Sequence, residues 1–184
     1  VFWILMTSFK TVNEQQSQSP FALPASLNLD NFKNAFEGGR LLTYYKNSII
    51  VTLITIVVIV ILSSMAAFAI EKLRFKINGW VMGFFLLGIA IPIHITLIPL
   101  FQIYKNLKLL NTYAALVLPQ VGFALPISIY LFTAFYKYLP NSLFEAAVID
   151  GASVMQCFRR IYLPLSKNTI VTVATMNAIT IWNE

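Results

Sequence analysis

The segment LPNSLFEAAVIDGASVMQCFRRIYLPL, from Leu139 to Leu165, decides how the rest of the chain is organised. It carries the charged residues Glu145, Asp150, Arg159 and Arg160, while strongly apolar segments lie on both sides of it. Because ionised side chains are costly inside a bilayer, we expect this segment to lie outside the membrane, across one end of a bundle of spanning helices.

Two short helices are predicted within this segment. A hydroxyl residue followed three positions later by Glu or Gln marks a helix start, and this spacing occurs at Ser142 with Glu145 and at Ser153 with Gln156. Gly151 stands where the first helix must end, since glycine adopts the left-handed conformation at little cost. Pro164 is expected to close the second helix. The segment is therefore predicted to fold as helix, glycine turn and helix.

The same segment resembles the EAA loop of ABC-importer permeases. The resemblance rests on Glu145-Ala146-Ala147, Asp150-Gly151-Ala152, Phe158, Ile161 and Leu163-Pro164. In that family the loop is the coupling helix that docks on the ATPase subunit, and residues 139–165 are called the coupling loop below. The resemblance implies a docking surface made of Phe144, Glu145, Ala146, Ala147, Asp150 and Gly151.

Two details of this docking surface follow from residue chemistry. Phe144, Ala147 and Val148 are expected to form an apolar face that fits a groove of the ATPase. Two roles stay open for Glu145. It is expected to pair with a basic residue of the ATPase, because an unpaired carboxylate at a buried edge is costly, or to cap its own helix.

Composition indicates an integral membrane protein. Hydrophobic residues make up 58% and charged residues 11% of the 184 positions, against about a quarter charged in soluble domains. The 13 Lys and Arg residues, which give a net charge of +6, stand at the ends of apolar runs, as membrane anchors do. Nucleic-acid binding is not predicted, because the sequence has no stripe of basic residues interleaved with aromatic residues. The single cysteine, Cys157, is expected to be a small packing residue.

Four apolar segments are predicted to lie in the membrane, at about 47–70, 78–103, 110–136 and 167–184. The run Asn47–Ile70 carries no charge and is long enough, at ~1.5 Å per residue, to cross a ~30 Å hydrocarbon core. One helical face of this run carries small polar residues, for which packing between helices is favoured over substrate binding: Ser48, Thr52, Thr55 and Ser63.

The remaining segments precede this run. Residues 1–9 are interpreted as the end of an earlier spanning helix, and residues 10–46 as an extracytoplasmic loop with a short amphipathic helix at Leu29–Phe36. Neither end of the chain has a cap or a turn, so we expect the chain to be cut at both ends.

Proline pairs interrupt two of the predicted spans, as possible kinks or gates: Pro92 with Pro99, and Pro119 with Pro126. Since a proline frees carbonyls and kinks a spanning helix, two interpretations stay open: bends that open and close a path, and static kinks that shape the bundle. His94, the one histidine, is a functional candidate because it is ionisable at membrane depth. A hydrogen bond from His94 to a carbonyl freed by Pro92 is the favoured interpretation.

The last predicted span carries a polar stripe within about 140° of arc at 100° per residue: Thr169, Thr172, Asn177, Thr180 and Asn183. Such a stripe is expected to face protein or water and not lipid. It is therefore the best candidate for lining a hydrophilic path, with hydrogen bonds between helices as the alternative.

The residues of a catalytic site are missing from the sequence. There is no GxxxxGK[ST] phosphate loop and no GxSxG elbow, and one His with one Cys makes no metal site. We therefore expect a non-catalytic membrane subunit without a metal or cofactor of its own. A gradient-driven secondary transporter is the alternative, but it calls for charged residues within the spans, and those between Asn47 and Tyr136 lie only at the loops.

Further stretches resemble maltose-type sugar permeases of ABC importers: Ser8-Phe9-Lys10, Asn47-Ser48, Phe68–Phe75, Pro99-Leu100, Leu109–Tyr113 and Trp182-Asn183-Glu184. The resemblance implies an all-α, polytopic transmembrane bundle with the type I importer permease fold. Most of the first of six helices and all of the sixth are then absent from this chain.

The resemblance also implies a function. It implies a multi-pass permease subunit of a bacterial cytoplasmic membrane, in contact with lipid, that forms part of the path for a carbohydrate. ATP and Mg²⁺ would be bound by a partner ATPase dimer, and a second permease and an extracytoplasmic solute-binding protein complete the importer. Three alternatives stay open: glycerol-phosphate or another polar solute as cargo, a gradient-driven transporter, and a structural membrane scaffold.

Overall fold

The computed structural model describes residues 1–38, 41–73 and 75–183. Regular structure within these residues is helical throughout, which confirms the predicted all-α class. The chain divides into two compact units, Val1–Ile49 and Ile50–Glu184.

Three short helices form most of the first unit: α1 at Phe2–Ser8, α2 at Val12–Ser17 and α3 at Asp30–Gly38. The amide of Asn31 ties α3 to the end of α1 and the residues after it, donating to the carbonyls of Ser8 at 3.0 Å and Lys10 at 2.8 Å. The helix predicted at Leu29–Phe36 is thus confirmed as α3.

Helix α2 lies within the segment that was predicted to be a loop. Thr11 and Glu14 form a capping box at its start, since the Thr11 N–H donates to the Glu14 carboxylate at 2.8 Å and the Glu14 N–H donates to the Thr11 hydroxyl at 3.3 Å. The Glu14 carboxylate also accepts the Ala25 N–H at 3.1 Å. The backbone hydrogen bonds from Thr11 and Ala25 lower the pKa of Glu14.

The long helices lie mainly in the second unit. They are α4 at Leu41–Lys72, α5 at Asn78–Ile89, α6 at Leu97–Asn106, α7 at Tyr113–Tyr138 and α11 at Lys167–Asn183, with a 3₁₀ turn at Ile93–Thr96 between α5 and α6. By length and composition α4 and α7 are able to cross a membrane, and α5 with the 3₁₀ turn and α6 makes a third span if the bent pair counts as one. Helix α4 begins before the predicted start at Asn47 and continues past Ile70.

The four prolines of the predicted spans lie at different places in the helices. A bend of 89° separates α5 from the segment after it, and Pro92 lies at this break as the residue before the 3₁₀ turn. Pro99 lies in the first turn of α6, where its missing N–H would have no partner in the helix. The kink expected at Pro99 is therefore wrong. Pro119 and Pro126 lie inside α7, which continues through both.

The core of the second unit forms where α4, α7, α11 and the coupling loop pack together. Its fully buried side chains include Ile59, Ile129, Phe132, Tyr136, Cys157, Tyr162 and Val173. Burial of Cys157 confirms its predicted packing role. Thr52, Thr55 and Ser63 are buried as well, which confirms packing as the role of the small polar face, whereas Ser48 is exposed.

Candidate functional site

The coupling loop folds as a series of short helices. They are α8 at Ser142–Ile149, α9 at Val154–Cys157, a π-helical turn at Phe158–Tyr162 and α10 at Leu163–Leu165. The predicted order of helix, glycine turn and helix is confirmed.

The start of α8 differs from the prediction. The residue before the helix is Asn141, no side chain caps the first turn, and Ser142 is already helical. Asn141 has right-handed helical backbone angles, so the chain enters the helix without the extended residue that a capping box requires. The capping box predicted for Ser142 and Glu145 is therefore wrong, and the exposed Glu145 side chain is left for another role.

Gly151 ends α8 as predicted. Its φ of +81° lies in the left-handed region. The Gly151 N–H donates to the Val148 carbonyl at 3.0 Å, and the Ala152 N–H donates to the Ala147 carbonyl at 2.9 Å. These are the two hydrogen bonds of a Schellman motif, which closes a helix end by satisfying its last carbonyls.

The second helical part of the loop begins as predicted and ends later. The Ser153 N–H donates to Oε1 of Gln156 at 2.7 Å, and the Gln156 N–H donates to Oγ of Ser153 at 3.3 Å, which confirms the second capping box. Helical turns continue through Pro164 to Leu165, so the prediction that Pro164 closes the helix is wrong. The π-helical turn just before Pro164 widens the backbone, and a wider turn accommodates a residue that lacks an N–H.

The predicted docking residues do not all face the same way. Ala147 is 8% exposed, and the ring of the half-buried Phe144 lies 6.0 Å from that of Phe68 on α4, so both side chains pack against the chain's own core. This overturns the expected apolar face of Phe144, Ala147 and Val148, of which only Val148 is exposed.

The outward side of α8 is called the exposed α8 face below. It consists of Glu145, Ala146, Ile149 and Asp150, all of them exposed and followed by the exposed Gly151. Ile149 is 84% exposed and was missed in the sequence. Its position four residues after Glu145 places both residues on one helical face, and that spacing was the signal available.

An aromatic cluster lies beneath the loop. The ring of Phe68 on α4 lies 4.9 Å from Tyr162, 5.4 Å from Phe158 and 6.4 Å from Tyr136, measured between ring centroids. These residues come from α4, α7 and the π-helical turn, so the loop is packed against two membrane-length helices. Burial raises the pKa of the Tyr162 phenol, as does its electrostatic interaction with Cys157.

The polar stripe on α11 is split by its environment. Asn177 is 6% exposed, and its side-chain amide donates to the Ser128 hydroxyl on α7 at 3.3 Å and to the Val173 carbonyl at 2.8 Å. The side chains of Thr172, Thr180 and Asn183 are exposed, and Thr169 is half-buried. Asn177 therefore joins two helices, while Thr172, Thr180 and Asn183 form the part called the exposed α11 stripe below.

His94 lies in the 3₁₀ turn beside Pro92, and its side chain is exposed. The hydrogen bond expected from its imidazole to a freed carbonyl does not occur within the described part of the chain.

Most of the chain matches a known protein family in sequence. Residues 59–184 match the family described as "Binding-protein-dependent transport system inner membrane component". The chain belongs to this family. The match begins in the membrane-length helix α4 and covers the coupling loop and α11, so the exposed α8 face and the exposed α11 stripe both lie within the family domain.

Two curated relatives are similar along nearly the whole chain. The "Putative ABC transporter permease protein ORF2" of Caldicellulosiruptor sp. is 41% identical over 99% of this chain and 66% of its own length. The "Diacetylchitobiose uptake system permease protein NgcG" of Streptomyces coelicolor is 33% identical over 100% of this chain and 61% of its own length. The chain thus spans slightly less than two thirds of each of these curated relatives.

A solved structure shares the fold. It is described as "Crystal structure of a bacterial ABC transporter involved in the import of the acidic polysaccharide alginate", and one of its chains matches with a TM-score of 0.80 at 24% identity. The match covers 98% of this chain and 63% of that chain. Together with the apolar helices, family membership establishes an integral membrane protein of this transport-system family.

Proposed function

We propose that this chain is part of the permease subunit of an ATP-driven importer in a bacterial cytoplasmic membrane. In this proposal the coupling loop receives the motion of a separate ATPase dimer, which binds ATP and Mg²⁺. A second permease completes the path, and an extracytoplasmic binding protein delivers the solute. The observation that carries the proposal is the exposed α8 face on a loop that is packed against α4 and α7.

The geometry of α8 supports docking of a protein on this face. Ile149 presents its apolar side chain to solvent beside the charged groups of Glu145 and Asp150. Burial of an apolar side chain in a partner's groove would contribute about 1.5–3 kcal/mol, and the two carboxylates would pair with basic residues of the ATPase at the edge of the groove. Phe144 and Ala147 then stabilise the loop by packing α8 against the core.

The exposed α11 stripe supports a path for a neutral polar solute. The Thr172 hydroxyl donates to the Asn168 carbonyl at 3.0 Å, and the Thr180 hydroxyl donates to the Met176 carbonyl at 3.2 Å. The stripe still presents hydroxyl and amide oxygen atoms as acceptors on an exposed surface, so we assign it to the path between this subunit and the second permease.

A carbohydrate is the cargo that this stripe fits best. Its side chains are neutral hydroxyl and amide groups, which hydrogen-bond to sugar hydroxyls. Glycerol-phosphate would require basic side chains to balance its charge, and the stripe contains none. A relative named for diacetylchitobiose uptake is in agreement with this class of cargo.

The test uses the complete permease, co-expressed with an ATPase, a second permease and a binding protein, and reconstituted in liposomes. Ile149→Ser is compared with Tyr138→Ser, because Tyr138 at the end of α7 is 86% exposed but lies outside the exposed α8 face. Ile149→Ser is expected to weaken ATPase retention about tenfold or more and to lower binding-protein-stimulated ATP hydrolysis. Tyr138→Ser is expected to leave both unchanged.

Two results would refute the proposal. One is a wild-type complex that retains no ATPase. The other is solute uptake that continues without ATP and stops when an ionophore dissipates the ion gradient, which would indicate a gradient-driven transporter.

A further inference from the structure

Lys72, the last residue of α4, is only 5% exposed, although it stands at the end of a spanning helix where lysines ordinarily reach water. Its Nζ donates to the Leu139 carbonyl at 2.8 Å and to Oδ1 of Asn141 at 3.0 Å. The same Nζ lies 5.6 Å from the centroid of the Tyr162 ring. One ammonium group therefore contacts three residues of the coupling loop.

The positions of these partners define a corner. Leu139 is the residue that ends α7, and Asn141 is the residue that precedes α8. Lys72 thus bonds to both sides of the turn at Pro140, where the chain passes from a membrane-length helix into the coupling loop. Lys137, in the last turn of α7, is exposed, so burial is not a general property of the basic residues at this end of the bundle.

The energetics make this contact strong. Burying an ammonium group is expensive unless its N–H groups find acceptors, and separating Lys72 from the corner would break two of its hydrogen bonds. Hydrogen bonds that involve a charged group are stronger than neutral ones, and the Tyr162 ring adds a cation–π contact. Movement of the corner away from α4 is therefore resisted more than movement of both together.

Phe68 strengthens the same connection one helical turn earlier on α4. Its ring packs against Phe144 of α8, and against Phe158 and Tyr162 of the π-helical turn. The end of α4 is therefore attached to the loop by a polar contact through Lys72 and, one turn earlier, by an apolar contact through Phe68.

We propose that Lys72 is a positioning residue that makes α4 move with the coupling loop when the ATPase displaces α8. This inference rests on the proposed function, because it assumes that the loop is the point where ATP-driven motion enters the chain. Phe68 keeps the loop packed against α4, and Lys72 fixes the corner between α7 and α8 to the end of α4.

The experiment measures the solute imported per ATP hydrolysed by the reconstituted complete importer, with ATPase co-purification as the check on assembly. Lys72→Met removes the charge and keeps an unbranched side chain, Lys72→Arg keeps the charge, and Lys137→Met is the matched control. Lys72→Met is expected to lower the ratio about tenfold, with assembly intact. Lys72→Arg is expected to restore most of the ratio, and Lys137→Met to leave it unchanged.

Asn141→Ala provides a second, milder variant, since Asn141 is exposed and Lys72 keeps its bond to the Leu139 carbonyl. We expect this variant to lower the ratio by about threefold. In the double variant with Lys72→Met, the ratio is expected to equal that of Lys72→Met alone, because both changes break the same contact.

Three results overturn the inference. The first is an assembled Lys72→Met importer that keeps the wild-type ratio, and the second is a double variant whose losses multiply. The third applies if the Lys72→Met importer does not assemble. In that case Asn141→Ala is the deciding variant, and an unchanged ratio of solute imported to ATP hydrolysed in it overturns the inference. In each case a wild-type complex that couples ATP hydrolysis to import leaves the proposed function standing, whereas a wild-type complex without ATP-dependent import refutes both proposals.

Discussion

Gly88 on α5 and Pro126 on α7 lie so close that a Cβ atom built on Gly88 would be 2.9 Å from Cγ of Pro126. Pro126 is buried, and α5 and α7 pack along each other. The proline ring is rigid and cannot move aside as a flexible side chain would. A residue without a side chain is therefore required where α5 approaches the break before Pro92.

Gly88→Ala is expected to destabilise the protein by about 1–3 kcal/mol, because the added methyl group overpacks the contact with Pro126. The measurement is the thermal unfolding midpoint of the complete permease in detergent. Gly83→Ala on the same helix is the control, since nothing lies within 4 Å of its Cβ position. That change is expected to be neutral or stabilising by up to about 1 kcal/mol. Equal effects at the two glycines would contradict the close contact.

Gly151→Ala is expected to destabilise the end of α8 by about 1–2 kcal/mol, because alanine is strained at a φ of +81°. Space is not the cause, since nothing lies within 4 Å of the Cβ position. Gly151→Asn is expected to cost less, because asparagine tolerates the left-handed region better than alanine. Gly122→Ala on α7, which also has open space, is the control. A higher unfolding midpoint for Gly151→Ala than for Gly151→Asn would contradict the explanation by backbone strain.

Asn177→Ala is expected to destabilise the packing of α11 on α7 by roughly 0.6–1.7 kcal/mol, which are the average and the largest value measured for hydrogen bonds between membrane helices. The variant loses the bond to Ser128 and leaves a buried gap. Asn183→Ala on the same stripe removes an exposed amide, and its effect is expected to stay within about 0.5 kcal/mol. Unfolding of both variants by detergent titration measures the two losses of stability. A larger loss for Asn183→Ala than for Asn177→Ala would contradict the prediction.

The capping box at Thr11 and Glu14 predicts a pH dependence of local stability. The pKa of Glu14 is lowered by hydrogen bonds from the Thr11 and Ala25 N–H groups, so the unfolded segment binds the proton more readily than the folded one. Its contribution is therefore present above about pH 4.5 and is lost as the pH falls through the lower pKa of the folded state.

Hydrogen exchange over residues 11–25, corrected for the intrinsic rate at each pH, measures this contribution. Glu14→Gln is expected to reduce protection at neutral pH and to match the wild type in acid. Glu37→Gln, at an exposed position of α3, serves as the control. Protection in the wild type that rises on acidification would contradict the assignment.

The parts of the coupling loop that were predicted correctly depend on local chemistry. Gly151 ends a helix because of its own backbone freedom, and Ser153 with Gln156 begins one because the two residues satisfy each other's N–H groups. The box at Ser142 and Glu145 has the same spacing and does not form, because the preceding residues already bring the chain into helical geometry. Spacing alone does not contain that information.

The sequence by itself determined the class of the protein. Long uncharged segments and the placement of charges at their ends are sufficient to predict an all-α membrane protein, because a helix satisfies the polar backbone groups of a segment that lies in a bilayer. The tertiary structure alone decided which side of each helix is used. On α8 it turned Phe144 and Ala147 inward and left Ile149 exposed. It also buried Asn177 apart from the exposed α11 stripe and brought Lys72 against the turn at Pro140. These outcomes depend on contacts between residues far apart in sequence, such as Phe68 with Phe144 and Lys72 with Asn141, and such contacts exist only after the helices have packed.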